Sequence, residues 1–159
     1  MKVFVVIVTF NRIELLKRSI ESVRANQPFG IIVINNGSTD GTKEWLDSQP
    51  DLIVIHQKNV GGSGGFYTGI KHAYNMGADW IWRMDDDVFP RTDCLKNLLE
   101  NATDKNIGIL APRRIMDGKI FCHDFQGYNL TRPFKSMYRQ RLVNEQVTSP
   151  TFIAGTAFA

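Results

Sequence analysis

Three carboxylates, Asp85, Asp86 and Asp87, stand in a row within "WIWRMDDDVFP", directly after a segment apolar enough to be buried. Adjacent negative charges repel, so this placement asks for a cation. In extended or turn backbone, residues two positions apart project to the same side. That pairs Asp85 with Asp87 and turns Asp86 away. Two hard oxygen ligands on one side suit Mg²⁺ or Mn²⁺. Such an ion would relieve the repulsion and bridge to phosphate oxygens. The competing reading is an exposed acidic turn with a helix cap. Acids that abut a buried strand at a ligand-binding edge favour the metal.

Three other polar clusters carry chemistry of their own. "NVGGSGG", from Asn59 to Gly65, precedes a helical stretch. Its backbone N–H groups can approach an anion or a sugar closely, although the motif is neither GxGxxG nor a Walker loop. A flexible strand-to-helix turn would look the same. "NNGSTDGT" offers Asn35 and Asn36 as donors and acceptors for a base or ribose. It also reads as a turn with a helix cap built from Ser38, Thr39 or Asp40. Thr9, Asn11 and Arg12 follow the first apolar run. Arg12 is suited to a diphosphate through charge-assisted hydrogen bonds. Alternatively, Asn11 caps a helix and Arg12 is solvated. His56 lies in an apolar run and reads as structural. His72 has no partner at four-residue spacing, and His123 has only a neighbouring acid. No Ser–His–Asp or Cys–His arrangement stands out. The basic stretch with Arg132, Lys135, Arg139 and Arg141 reads as a solvated face, with an acceptor or membrane-surface patch as the minority reading.

These clusters need elements to position them. Apolar runs predict strands over 3–9, 31–35, 52–56, 78–84 and 107–111. Amphipathic spacing predicts helices over 11–25, 42–48, 66–76 and 92–101, the last capped by Thr92 or Asp93. Such alternation gives an α/β fold with a mainly parallel twisted sheet and helices on both faces. The polar clusters all follow strands, so they share the carboxyl edge of the sheet and can converge on one site. After Arg113 the pattern weakens. "DG" at Asp117 and Gly118 marks a hairpin turn, and "SPTFIAGTAFA" returns to the sheet or its edge.

The bulk numbers agree with one soluble domain: 159 residues, 43% hydrophobic and 22% charged. A net charge of +3 is too weak to argue for nucleic acid as a partner. Cys94 and Cys122 lie far apart and match no zinc spacing, which suggests reduced thiols and a cytoplasmic setting. "VFVVIV" is too short to span a bilayer and has no cleavage site after it. The apolar terminus "TFIAGTAFA" suggests a piece of a longer chain.

Taken together, "VVIVTFNR", "IIVINNGSTDGT", "NVGGSGGF" followed by "GIKHA", and "WRMDDDVFP" resemble the family 2 glycosyltransferases. The resemblance covers residues 3–112 in order and spacing, and extends more loosely to the end. "NVGGSGGF" is similar to the galactofuranosyltransferase and rhamnosyltransferase-like branch. The resemblance implies a single GT-A domain, with a nucleotide-sugar-binding half over 1–112 and the start of an acceptor-side half over 113–159. It implies transfer of a sugar from a UDP-galactofuranose-like or dTDP-rhamnose-like donor, with inversion. The acceptor would be a cell-surface glycan or its lipid-linked precursor, reached by peripheral association with the inner face of the cytoplasmic membrane. Thr9, Asn11 and Arg12 match positions that contact nucleotide and diphosphate. Asn35 falls where most members carry an aspartate that pairs with uracil, so discrimination between uracil and thymine is not assured. Asn59, Gly61 and Gly62 match the loop that lines the donor pocket. Asp85 and Asp86 join the donor contacts, and Asp85 and Asp87 match the DxD pair that holds Mn²⁺ or Mg²⁺. No catalytic residue is assigned within the chain, because the family's general base would fall beyond Ala159. A nucleotide-sugar-binding module without catalysis would share these features. A phosphatase or phosphoacceptor receiver would want an acid after the first strand, where this chain has "TFNR".

Overall fold

A computed structural model describes residues 1–102, 107–110, 112, 115–116, 119–120, 126–128, 137–139 and 157–158. Its centre is a sheet built on β1 (Val3–Thr9), a seven-residue run of β-branched and aromatic side chains. β2 (Gly30–Asn35) and β3 (Leu52–His56) lie to one side of β1, and β4 (Trp80–Asp85) lies to the other. All four run parallel. The edge beyond β4 is taken by β9 (Ala157–Phe158), which pairs antiparallel with Ile81 and Trp82. The expected return of the terminal segment to the sheet edge is therefore present.

The central strand alternates its side chains between two cores. Val3, Val5 and Ile7 pack with Ile31, Val33, Trp82 and Met84 on one face. That face is covered by α1 (Ile13–Arg24), α2 (Thr42–Asp47) and α4 (Cys94–Glu100) through Leu16, Ile20, Val23, Leu46, Leu95 and Leu98. Phe4 and Val6 pack with Ile32, Ile34 and Ile81 on the other face, under Phe66 and Ala73 of α3 (Gly61–Asn75). Burial on both faces explains why the strands read as unbroken apolar runs. Trp80 and Trp82 both belong to the first core, as their shared strand face predicts.

Three expectations need correction. α3 starts at Gly61 and not at residue 66, so the glycine run forms its first turns. A Cβ on Gly69 would lie 2.4 Å from Val6 Cγ1, and one on Gly65 would lie 2.6 Å from Val8 Cγ1. These two glycines let the helix sit close on β1. β4 ends one residue later than expected, so Asp85 closes the strand. Residues 107–110 form no strand. The expected hairpin about Asp117 and Gly118 is represented by β5 (Ile115–Met116) and β6 (Lys119–Ile120), which pair antiparallel. β7 (Gln126–Tyr128) and β8 (Met137–Arg139) form a second antiparallel pair. His123, Cys122, Arg132, Lys135 and Arg141 lie outside the described residues.

Candidate functional site

Strand order places the site. The chain moves outward from β1 to β2 and β3, then crosses back to lay β4 on the opposite side of β1. A reversal of this kind opens a crevice at the carboxyl ends of the two central strands. Here those ends carry Thr9 and Asp85. Register aligns Thr9 with Asn35 and Asn35 with His56, while Val8 pairs with Asp85. The four polar clusters thus meet along one edge.

The three aspartates alternate, as their spacing predicts. Asp85 ends β4, and its carbonyl accepts the Val88 N–H across a turn. Asp85 and Asp87 are exposed, whereas Asp86 is 4% exposed. The buried carboxylate accepts the Thr9 hydroxyl at 2.8 Å and lies 3.3 Å from Arg12 Nη1. Burial pushes the Asp86 carboxyl above the usual carboxylate range, while the Thr9 hydroxyl and Arg12 work against that rise. The same Arg12 nitrogen reaches Asp87 at 3.1 Å. Among the described residues the Asp85 carboxylate has no hydrogen-bond or ion-pair partner. Thr9 is 1% exposed, and its hydroxyl is directed at Asp86.

The turn is tethered from behind by α1. Ser19 donates its hydroxyl to the Val88 carbonyl at 2.9 Å. Asn26 donates to the Arg91 carbonyl at 2.8 Å and accepts the Leu95 N–H at 2.9 Å. Neither residue stands out in the sequence, because each acts across more than sixty positions. Cys94, beside this tether, has its thiol pushed up to about 11, mainly by burial, so it is not a thiolate nucleophile at neutral pH.

The other loops are stitched together. Asn11 has a positive φ of 53°. Its N–H donates to the Ser38 hydroxyl, and its Oδ1 accepts the Thr39 N–H at 2.8 Å. Asn11 does not cap α1. That task falls to Asp40, whose Oδ2 accepts the Ile13 N–H and whose Oδ1 accepts both the N–H and the hydroxyl of Thr42. One carboxylate therefore caps two helices. Burial alone would raise the Asp40 pKa, but hydrogen bonds from Thr42 and Ile13 outweigh it and hold it below the usual range. Asn36 ties the second and third loops together. It accepts from Gln57 and the Val60 N–H, and donates to Asn59 and the Gly61 carbonyl. Asn59 also accepts the Gly61 N–H. Asn35 accepts the Ser38 N–H, and its Nδ2 faces His56 Nδ1. Asp47 lies 2.8 Å from His56 Nε2.

Gly61 and Gly62 differ from the glycines packed on the sheet. Among the described residues, a Cβ at either position would meet nothing within 4 Å. Gly61 needs its positive φ of 76°, but Gly62 has neither a steric nor a conformational reason to be glycine within the fold. No described residue crowds the backbone there, at the start of a 15-residue helix.

Among the described residues no group of three or more His, Cys, Asp or Glu side chains is disposed to hold a metal. A site for Mg²⁺ or Mn²⁺ does not require one, since such ions often take one or two carboxylates and complete their shell with water and substrate phosphates. Asp85 and Asp87 fit that demand: both are exposed, and Asp85 is uncommitted.

The profile of glycosyl transferase family 2 matches residues 4–158, and the chain belongs to that family. The galactofuranosyltransferase GlfT1 of Mycolicibacterium smegmatis is 37% identical over 112 residues, covering 67% of this chain and 37% of the relative. The undecaprenyl-phosphate mannosyltransferase of Micrococcus luteus is 30% identical over 126 residues, covering 76% of this chain and 51% of the relative. The chain thus spans between about a third and a half of the length of these two relatives. The mannosyltransferase PcManGT of Pyrobaculum calidifontis, solved in complex with GDP-Man and Mn²⁺, superimposes with a TM-score of 0.57 at 22% identity. That likeness covers 71% of this chain and 36% of the solved one, and it identifies the architecture as GT-A.

Proposed function

We propose that this chain carries the donor site of an inverting, metal-dependent glycosyltransferase that uses a UDP- or dTDP-sugar. The observation that carries the reading is the exposed Asp85, without a side-chain partner among the described residues, at the switch point of a parallel sheet, with Asp87 two positions away, Asn35 at the end of β2 and Gly62 in the first turn of α3. In this reading residues 1–112 form the nucleotide-sugar half and residues 113–159 begin the acceptor side.

Each residue has a separable task. Asp85 and Asp87 would hold Mn²⁺ or Mg²⁺, which when bound stabilises charge on the leaving diphosphate. Arg12, already within reach of Asp87, is placed to donate to phosphate oxygens instead. Asn35 offers amide atoms to the base. Gly61 and Gly62 let the donor approach the backbone, and Asn59 holds that loop through Gly61. Thr9 and Asp86 brace the turn from beneath, and Asn11 fixes the neighbouring loop. The family membership, the galactofuranosyltransferase relative and the neighbour solved with GDP-Man and Mn²⁺ support this reading. The lipid-linked substrate in the name of the Micrococcus luteus relative supports a glycan or lipid-linked acceptor at a membrane surface. No helix among the described residues is long and apolar enough to cross a membrane.

Calorimetric titration of UDP and dTDP, with and without Mn²⁺, tests the proposal. Binding should require the metal. Asp85→Ala and Asp87→Ala should each weaken it by at least about tenfold, or roughly 1.4 kcal/mol, while remaining folded. Metal-independent binding, or full affinity in both folded variants, would refute the assignment.

A further inference from the structure

Asn35 closes β2 and Asn36 follows it, and the two differ in how their amides are used. The Asn36 amide is saturated by Gln57, Val60, Asn59 and Gly61. Asn35 is as buried, at 3% exposure, but only half its capacity is taken. Its Oδ1 accepts the Ser38 N–H at 2.9 Å, and its Nδ2 lies 3.1 Å from His56 Nδ1. Among the described residues one amide hydrogen and one oxygen lone pair of Asn35 remain uncommitted.

The orientation of this amide follows from a backbone donor. The Ser38 N–H can only donate, so the atom facing it is Oδ1. Nδ2 then faces His56 and donates, so His56 Nδ1 carries a lone pair. The imidazole proton therefore sits on Nε2, which donates to Asp47 Oδ1 at 2.8 Å. Asp47 is held in turn by Lys43 at 2.7 Å through its other oxygen. Lys43 first, and then His56, keep the Asp47 carboxyl below its usual range, so it stays an acceptor. The relay thus runs from α2 through β3 to the end of β2.

An asparagine free to turn its amide over can match either uracil or cytosine, because it presents a donor and an acceptor in either order. One held at both atoms cannot. With Oδ1 facing ring N3, it accepts the N3–H of a uracil-type base but meets a lone pair on cytosine. We infer that His56, oriented by Asp47, is a positioning residue that locks the Asn35 amide and makes the base site selective for uracil-type over cytosine-type nucleotides. This rests on the nucleotide-sugar reading above, which places a base beside Asn35.

The test uses the whole chain with Mn²⁺, UDP and CDP as probes. Nitrogen-15 NMR of the histidine side chains should report the Nε2–H tautomer for His56. Calorimetry should give a UDP preference of roughly tenfold or more, as expected where a mismatched base leaves a buried polar group unpaired. His56→Leu removes the acceptor, and the preference should narrow to about threefold or less as the amide becomes free to turn. His56→Gln keeps an acceptor and should retain it. Should His56→Leu fail to fold, Asp47→Ala is the second handle: it leaves His56 Nε2 without its acceptor, so the imidazole is no longer held in one orientation, and the preference should narrow as well. An Nδ1–H tautomer, or an unchanged preference in folded His56→Leu, would overturn the inference while leaving the donor site intact. Failure of the wild type to bind either nucleotide would instead remove the functional reading, and this inference with it.

Discussion

The glycine run of α3 contains two kinds of glycine, and alanine substitutions should separate them. Gly69 lies where a methyl group would be 2.4 Å from Val6 Cγ1 and 3.2 Å from Ile34 Cγ1. Both neighbours are fully buried on central strands, so neither can move aside freely. Overpacking of this kind costs about 1–3 kcal/mol, and so tight a contact belongs in the upper part of that range. Replacing glycine inside a helix returns up to about 1 kcal/mol. Gly69→Ala should therefore destabilise the chain by a net 1–2 kcal/mol or so, which for its size lowers Tm by roughly 2–8 °C. Gly62→Ala meets none of the described residues and needs no special backbone, so it should be neutral or up to about 1 kcal/mol more stable. Its harmful effect should appear in Mn²⁺-dependent UDP titration, where the added methyl obstructs the approach to the backbone and affinity falls about tenfold, roughly 1.4 kcal/mol. Thermal unfolding and calorimetry on the two variants give four numbers. A Gly69→Ala chain as stable as wild type would refute the packing argument. A Gly62→Ala chain with wild-type affinity would refute the claim that this glycine exists for a ligand.

Two further outcomes concern the loops that carry the site. Asn26→Ala leaves the Leu95 N–H without its acceptor and the Arg91 carbonyl without its donor, so urea unfolding should show a loss of about 2–3 kcal/mol; a loss below 0.5 kcal/mol would mean the tether is dispensable. Asp40→Ala removes the cap from both α1 and α2 and should cost about 1–2 kcal/mol at pH 7. Because the folded Asp40 pKa is depressed, this contribution is complete above the unfolded value near 4 and disappears as pH falls through the folded value. Denaturant midpoints of the two chains should accordingly converge in acid, and a gap independent of pH would show that the carboxylate charge is irrelevant.

The first four strands and the loops that bear the site were legible because burial on both faces forces an unbroken apolar run, and each of these runs ends in a polar cluster. The same logic placed Asp85, Thr9 and Asn35 at one edge. The start of α3 was hidden by its glycines, whose usual meaning is a turn. The spacing of Gly65 and Gly69, four apart on one helix face, was the available sign that the helix begins earlier. Asn36, Asn26 and Ser19 were not legible as supports, because their partners are distant in sequence and meet them only after the sheet forms. Asp40 is one of three cap candidates, with Ser38 and Thr39, that the sequence offers for the helix that follows, and its second role at Ile13 depends on the two loops lying side by side. Residues 107–110 contain the apolar types of a strand, but composition alone does not supply a ladder partner.

The crowding of the three aspartates has a physical resolution that does not treat them alike. Asp86 is the buried member, and its charge is costly there; the Thr9 hydroxyl and the Arg12 guanidinium offset that cost. Asp87 shares the same guanidinium, but both partners are about half exposed. A pair of that kind is worth about 0–1 kcal/mol because solvent screens it. Arg12 can therefore exchange Asp87 for another anion at little cost, while the Thr9–Asp86 bond, shielded from water, stays in place. Asp85 has neither constraint among the described residues. The turn thus has one fixed acid beneath it and two acids presented outward, with a cation beside them that is loosely held. That arrangement suits a site where a diphosphate and a metal ion arrive together. In the proposed reading Asp85 and Asp87 would hold the metal ion, whose charge would offset their repulsion, and Arg12, released from Asp87, would donate to the phosphate in its place.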